Sequence, residues 1–480
     1  MSRRLFAVVA LCALGAAACV SERASNSQTA LVAPGLANVS AGEQQYLIDA
    51  ITTLPADLEA KVAGIGGRLT GTMPEIGVAS AVSADPDFAA NAARIQGIGA
   101  VEADPVRQLV EPDPTVEAIE IDASETPSAE AVFGSTETFR LMQWAPDAVH
   151  APEAWDLGAR GAGARIAIID GGLHSTHIDI APHLDVARSR SFVAGQNFNQ
   201  DVGTFWHGTH VAGISAAPGG NLGTVGIAPE ATIIGVKVLH NGSGSFTNVI
   251  NGILYAATPI AEGGGGADII NMSLGAFFPK SAGGASALKN AIAKAVAYAY
   301  QRGVLVVSSA GNESTDYDHT DNLTHVPSDA PHSLSIAATG PLDFSHGATN
   351  FDRPASYTNF GQSTIDFAAG GGDFALPGNA LCAMPRLPTG TTTQPCWVFD
   401  MVMAPVRGPA ASNSTYSWTA GTSMSAPVVS GVAALIIGKF GKMSPTALEA
   451  RLRASADDLG KPGNDDFYGA GRVNALRAIQ

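Results

Sequence analysis

From Trp144 onward, short apolar runs alternate with longer stretches of helical periodicity. The apolar runs predict buried strands at residues 165–169, 232–238, 268–272, 303–308, 334–338 and 365–368. The periodic stretches predict helices at residues 207–217, 248–257, 285–302, 423–440 and 444–455. Strands that alternate with helices are typical of a parallel sheet wrapped by crossovers. Residues 141–480 are therefore predicted to form an α/β unit, a mostly parallel sheet with helices on both faces.

Residues 43–104 carry a smaller and different pattern. It predicts strands at 46–51 and 98–103, helices at 56–63 and 86–95, and a glycine-rich hairpin at 66–82. This order is βαββαβ, a small α+β domain of the ferredoxin-like kind. Residues 105–140 follow with several prolines, many carboxylates and little periodicity, and they predict an exposed acidic linker suited to proteolysis.

The first residues have the pattern of an export signal. Residues 1–18 combine basic Arg3 and Arg4, an apolar run too short to span a bilayer, and small residues at the cleavage position. Residues 19–42 are small and polar and predict a tether. Cys19 directly follows the cleavage position, which resembles a bacterial lipoprotein signal. Lipidation of Cys19 and ordinary signal peptidase cleavage both stay open, and in either case the protein is expected to be exported, secreted or periplasmic.

The composition and charge of the chain limit the kinds of partner that it is expected to bind. The chain has 480 residues, 46% hydrophobic residues and a formal net charge of −16, which describes a soluble protein with a large core. Such acidity argues against nucleic acid and anionic membrane surfaces as partners. In an oxidising compartment Cys382 and Cys396 are expected to pair, and a loop of about 15 residues would contribute ~3 kcal/mol to stability.

Four separate stretches together supply the groups that acyl transfer needs. Asp170 ends an apolar strand, His207 opens a helix, Asn312 lies in a glycine turn, and Ser423 stands where a long helix begins. Taken alone, each has a structural interpretation, such as a turn residue or a helix cap. Taken together, they predict a nucleophile (Ser423), a general base (His207), a carboxylate that orients it (Asp170) and an oxyanion donor (Asn312).

The motifs IIDGG, HGTHVAG, SAGNE and GTSMSAP, in that order, resemble those of the subtilisin-like serine proteases. The resemblance covers residues 144–480 and implies a serine endopeptidase that hydrolyses peptide bonds through an acyl-enzyme, with no cofactor for the chemistry. It implies calcium as a structural ion at Asp179, although Gly220 stands where a ligating Asn is expected. It also implies that the 43–104 domain is an inhibitory propeptide removed by self-cleavage within the linker.

Further residues match the substrate groove of this family. The resemblance implies that an extended peptide lies between two edge segments, with a roomy, apolar primary pocket: Gly242, Ser243, Gly244, Ser273, Leu274, Gly275, Ala310 and Gly311. The expected partners are protein or peptide substrates and the protein's own propeptide. The protein is expected to be a monomer that meets a membrane only through a lipid on its precursor.

Two alternatives remain beside this interpretation. One is a catalytically silent relative that binds peptides without cutting them. The other is a metal-dependent hydrolase that uses His207 and His210, whose spacing does not match a zinc-protease helix.

Overall fold

The computed structural model describes residues 42–110, 116–121, 132–220, 222–279, 286–319, 323–409 and 412–480. The predicted export signal, Cys19 and nearly all of the tether lie outside the described residues.

The N-terminal unit is a four-stranded antiparallel sheet covered by two short helices, with strand order β2-β3-β1-β4. Its elements are β1 (Gln44–Ala50), α1 (Leu58–Gly64), β2 (Gly67–Met73), β3 (Val78–Ser83), α2 (Phe88–Ala92) and β4 (Ile98–Ala103). Because side chains alternate across a strand, β1 contributes residues to two hydrophobic cores, one on each face. Ile48 packs with Phe88 inside the unit, whereas Leu47 faces a second cluster shared with the rest of the chain.

The remaining elements form the larger unit and the strands that join it. The strands are β5 (Arg107–Gln108), β6 (Ile119–Glu120), β7 (Arg165–Asp170), β8 (Arg190–Ser191), β9 (Thr232–Lys237), β10 (Ser243–Gly244), β11 (Ile269–Met272), β12 (Ala276–Pro279), β13 (Leu305–Ser309), β14 (Leu323–Val326), β15 (Ser333–Thr339), β16 (Phe367–Gly370), β17 (Leu381–Pro385), β18 (Thr391–Pro395), β19 (Val402–Val406) and β20 (Thr415–Thr419). The helices are α3 (Ala145–Ala148), α4 (Ala151–Asp156), α5 (His207–Ala216), α6 (Phe246–Ala257), α7 (Ser286–Gln301), α8 (Thr422–Phe440), α9 (Pro445–Ser455) and α10 (Ala475–Ala478).

A seven-stranded parallel sheet organises the larger unit, in the order β16-β15-β13-β11-β7-β9-β8. Both faces are covered, so each strand is apolar on both sides. On β7, Ile166 and Ile168 join the core that contains α5 and α8, while Ala167 and Ile169 join the core that contains α6 and α7. The predicted α/β class with helices on both faces is confirmed.

Helix α8 runs through the first of these cores. It is 19 residues long with a mean hydropathy of 1.5, enough by length and composition to cross a membrane. However, 78% of its apolar window is buried inside the protein, as expected of a core helix. It begins at Thr422, so Ser423 lies in its first turn.

The described part of the region predicted as an exposed linker forms short strands and buries several of its side chains. β5 pairs with β10, and β6 pairs with β20 to complete a three-stranded sheet. Leu109, Val110 and Ile121 are buried, and residues 132–140 pack against the larger unit. These apolar groups are too few to produce a periodic pattern, but they become buried by adding to strand edges that already exist.

The cysteine pairing expected from the sequence is present. Cys382 and Cys396 form a disulfide across the β17–β18 hairpin, with a Cα–Cα distance of 4.9 Å.

Candidate active site

Asp170 and His207 meet where β7 ends and α5 begins. The His207 Nδ1 lies 2.8 Å from the Asp170 Oδ2, and both side chains are buried. The other carboxylate oxygen accepts a hydrogen bond from the Gly171 N–H at 2.6 Å. A Cβ at Gly208 would lie 2.5 Å from the Gly172 carbonyl oxygen, so glycine lets α5 start this close to the strand. With Nδ1–H donating to the carboxylate, Nε2 is the nitrogen that can accept a proton.

Ser423 is the accessible residue of an otherwise buried helix start. Its Oγ donates to the Ser273 carbonyl oxygen at 3.3 Å, and the Ser273 Oγ donates to the Ser423 carbonyl oxygen at 2.7 Å. Thr422 and Met424 on either side are buried, whereas Ser423 is half-buried. Because the aligned peptide dipoles of a helix give its start partial positive charge, the Ser423 hydroxyl lies where negative charge is stabilised.

Asn312 is held in one orientation by the residue before Ser423. Its Oδ1 accepts from both the N–H and the Oγ of Thr422, each at 2.8 Å, and the Thr422 Oγ accepts from the Gly311 N–H at 3.0 Å. With Oδ1 used in this way, the Nδ2 amide remains as the donor end. Asn312, Gly311 and Ser423 line one cavity. Thr422 is the positioning residue that the sequence analysis did not single out.

The topology explains why these groups converge. Asp170, Ser273 and Ser309 end or follow the adjacent parallel strands β7, β11 and β13, so all three lie at the carboxyl edge of the sheet, where α/β folds place their sites. His210 does not join them. It is fully buried, its Nε2 lies 3.3 Å from the Ser417 carbonyl oxygen, and burial lowers its pKa to about 3. Within the described part of the chain, His207 and His210 belong to no group of metal-binding side chains.

The two predicted edge segments hold an extended peptide, and that peptide is the chain's own linker. β5 lies antiparallel to β10, with Gln108 opposite Ser243 and Arg107 opposite Gly244. Beyond β5, the Leu109 N–H donates to the Gly242 carbonyl oxygen at 2.9 Å. On the other side, the Gly275 N–H donates to the Leu109 carbonyl oxygen at 2.9 Å. The linker therefore forms the middle strand between the segments 242–244 and 273–275.

The cavity beside Ser423 differs from the roomy, apolar pocket that was expected. It measures about 40 Å³ and is lined on one side by Glu313 and His325. Ala310, predicted to contact substrate, is fully buried, and its carbonyl oxygen accepts from the Asn359 amide at 3.0 Å. The sequence offers little signal for His325, because this residue belongs to none of the four motifs.

A buried ion pair lies behind Asp170. Lys237 is fully buried, donates to the Leu239 carbonyl oxygen at 2.6 Å, and lies 3.7 Å from the Asp201 carboxylate. Burial lowers the pKa of Lys237 to about 8 and raises that of Asp201. A Cβ at Gly171 would collide with the Asp201 carboxylate. Glycine at position 171 therefore leaves room for the Asp201 carboxylate.

Asp179 and Glu137 form a second buried acidic group, remote from the chemistry. Asp179 Oδ2 accepts from the N–H and Oγ of Thr224 at 2.9 and 2.8 Å, and Glu137 Oε1 accepts from the Gly220 N–H at 2.6 Å. The second oxygen of each carboxylate is buried and has no hydrogen-bond partner among the residues that the structure describes. Burial raises the pKa of Asp179 to about 7, and the charge of Glu137 adds to the rise. Two buried carboxylates with unused oxygens fit a hard cation such as calcium. Glu137 is a candidate ligand that the sequence analysis missed.

Comparison with known proteins agrees with this geometry. Residues 161–471 match the subtilase family. The chain is 32% identical to thermitase of Thermoactinomyces vulgaris over 71% of this chain and 97% of thermitase, and 32% identical to subtilisin DY of Bacillus licheniformis over 67% and 93%. In fold it is similar to an epidermin leader peptide processing serine protease from Staphylococcus aureus, with a TM-score of 0.68, 19% identity, and coverage of 91% of this chain and 99% of that one.

Fold, site and relatives define a serine-type endopeptidase. The chain belongs to the subtilase family.

Proposed function

We propose that the protein is an exported serine endopeptidase, made as a self-processing zymogen, that hydrolyses peptide bonds with Asp170, His207 and Ser423. The observation that carries the proposal is the 2.8 Å contact between His207 and Asp170 at the same sheet edge as the Ser423 and Asn312 cavity. The Asp170 carboxylate holds the imidazole in the tautomer in which Nε2 is the nitrogen that can act as a base.

The reaction assigned to these groups has two halves. In the first, the Ser423 Oγ attacks the scissile carbonyl carbon while His207 takes the hydroxyl proton, and the oxyanion is stabilised by the Asn312 amide and the Ser423 N–H. His207 then donates the proton to the leaving amine, which leaves an acyl-enzyme on Ser423. In the second half, His207 removes a proton from water as the water oxygen attacks the ester carbon, and His207 then returns this proton to the Ser423 Oγ as the carboxylic acid product leaves.

The zymogen proposal is supported by contacts between the N-terminal unit and the groove. Strand β5 and Leu109 occupy the place between residues 242–244 and 273–275 where a substrate strand would add. Asp104 and Glu102, at the end of β4, accept hydrogen bonds from the first turns of α6 and α7. The N-terminal unit thus covers the groove as an inhibitory propeptide, and self-cleavage would fall in the linker beyond Val110.

Export and lipidation rest on the sequence alone. If Cys19 is lipidated, the lipid stays with the propeptide and cleavage frees the catalytic domain. Finding the mature domain only in the membrane fraction would contradict this.

The decisive variant is full-length Ser423→Ala, with Ser363→Ala as a matched control because Ser363 is an exposed loop residue bonded to Asp318. N-terminal sequencing should find Ser423→Ala uncut in the linker and Ser363→Ala processed like wild type. Wild type and the control should also be labelled by a serine-directed phosphonate. Normal processing of Ser423→Ala would contradict the assignment of the nucleophile. Phosphonate-resistant activity that is lost with a chelator would favour a metal-dependent hydrolase.

A further inference from the structure

The cavity that opens beside Ser423 is bounded on its inner side by the imidazole of His325. A Cβ at Gly275 would clash with this ring, and a Cβ at Gly311 would lie 3.3 Å from its Nε2. The ring thus occupies the space between the two glycine segments that form the walls. Gln108, Leu109 and Val110 line the outer side, so removal of the linker opens the mouth of the cavity and leaves its inner boundary unchanged.

His325 is held firmly in this position. Its Nδ1 lies 2.9 Å from the Ser328 Oγ, and that hydroxyl also donates to the His325 carbonyl oxygen at 3.2 Å. Phe277 packs edge-on against the ring with centroids 5.3 Å apart. His325 is 3% exposed, and burial lowers its pKa to about 4, so the ring is neutral at neutral pH. A neutral, tightly packed ring cannot swing aside for a large side chain without breaking these contacts.

The volume of the cavity limits the size of the substrate side chain that can enter it. One water-sized sphere needs roughly 10–15 Å³, so a cavity of about 40 Å³ holds about three heavy atoms. Room for about three heavy atoms is enough for the side chain of alanine, threonine or valine and far too little for an aromatic or lysyl side chain. The carboxylate of Glu313 stands at the wall, where its Oε2 accepts from the Asn359 amide at 2.7 Å. Its negative charge opposes acidic side chains in the cavity.

We infer that His325 closes the primary specificity pocket, so that this protease cleaves after small, uncharged residues. The inference rests on the proposed function, because it assigns the cavity to the residue that precedes the scissile bond. It gives the substrate class as extended peptides with alanine, valine or threonine at that position. His325 is the residue that determines the preference.

The test uses processed wild-type enzyme and tetrapeptide p-nitroanilides that differ only in the last residue: alanine, valine, phenylalanine, lysine or glutamate. We expect kcat/KM for alanine or valine to exceed that for phenylalanine by about tenfold or more, since a few methylenes that do not fit cost one to two decades. His325→Gly should raise kcat/KM for phenylalanine by about tenfold or more and change that for alanine little. His332→Gly is the control, because His332 stacks on Tyr300 and has a φ of 71° that glycine adopts readily.

The outcomes separate this inference from the proposed function. Wild-type enzyme that hydrolyses the phenylalanine or lysine substrate best would overturn the role of His325 and leave the protease assignment intact. The same holds if His325→Gly keeps the wild-type preference. A wild-type protein that hydrolyses none of the peptides and takes up no phosphonate would overturn the proposed function itself. If His325→Gly folds poorly, the substrate preference of the wild-type enzyme still tests the inference. His325→Ala then provides a smaller change at the same position.

Discussion

Asp104 is the point at which the N-terminal unit holds the start of helix α6. It is fully buried, and its Oδ1 accepts from the Phe246 N–H at 2.9 Å. Its Oδ2 accepts from the Thr247 N–H at 2.8 Å and from the Thr247 Oγ at 2.6 Å. The Gln45 amide adds a bond at 3.2 Å within the unit. Three of the four hydrogen bonds therefore cross to the larger unit.

Asp104→Asn keeps the shape and removes one acceptor atom. The amide oxygen can keep the Phe246 N–H, but the amide nitrogen then faces two donors from Thr247 and the Gln45 amide. Hydrogen bonds to a charged group contribute about 1.5 kcal/mol each at the low end, so losing the two bonds that cross to Thr247 costs about 3 kcal/mol of affinity. Since 1.4 kcal/mol is a factor of ten, we expect the cleaved N-terminal unit to dissociate about 100-fold faster.

The assay is the lag before peptidase activity appears in freshly processed full-length protein after dilution. The lag should be long for wild type, about two decades shorter for Asp104→Asn, and unchanged for Asp87→Asn. Asp87 is the control because it is an exposed aspartate of the same unit whose side chain makes no capping bond. Equal lags for wild type and Asp104→Asn would show that these hydrogen bonds do not hold the inhibitor.

Two further predictions concern the catalytic amide and the acidic group. Asn312→Ala should lower kcat by about two to three decades with little change in KM, as expected when one oxyanion donor is lost, and near wild-type turnover on a peptide ester would refute that role. Chelation should lower Tm more at pH 8 than at pH 5, and Asp179→Asn should abolish the difference. In the calcium-free fold the pKa of Asp179 is raised from 3.8 to about 7, so its stabilising contribution is full below the unfolded value, falls by about 1.4 kcal/mol per pH unit as pH rises from there toward the folded value, and is lost above it. An equal effect of chelator at both pH values would count against a cation at Asp179.

The regular part of the fold is readable from the sequence because its elements bury continuous apolar runs. β7, α5 and α8 begin within one residue of the predicted positions, and β7 and α8 do so because each starts where glycine-rich turn residues give way to an apolar run. The contact between Asp170 and His207 follows from the same topology, because both lie at the carboxyl edge of one sheet.

Features that depend on single long-range contacts were not predictable in this way. Strands β5 and β6 have two residues each and owe their existence to the edges of β10 and β20. His325 lies at the cavity because it packs against Phe277 and bonds Ser328, and no spacing of residues in the sequence predicts these contacts. Glu137 lies near Asp179 because both carboxylates accept hydrogen bonds from one loop, Glu137 from Gly220 and Asp179 from Thr224.

Free N–H groups at helix starts serve two opposite purposes in this protein. At α8 the Thr422 and Met424 N–H groups donate to the Asn312 Oδ1 and the Gly421 carbonyl oxygen, and we assign the Ser423 N–H to the oxyanion. At α6 the first two are satisfied by Asp104 and the third by the Ser245 hydroxyl at 3.3 Å. While the linker is intact, the N-terminal unit stays at high effective concentration and these bonds are kept even if individually weak. The proposed cleavage beyond Val110 would remove that advantage, and Asp104 would then hold the N-terminal unit by affinity alone, so its replacement should act on release and much less on the processing cut.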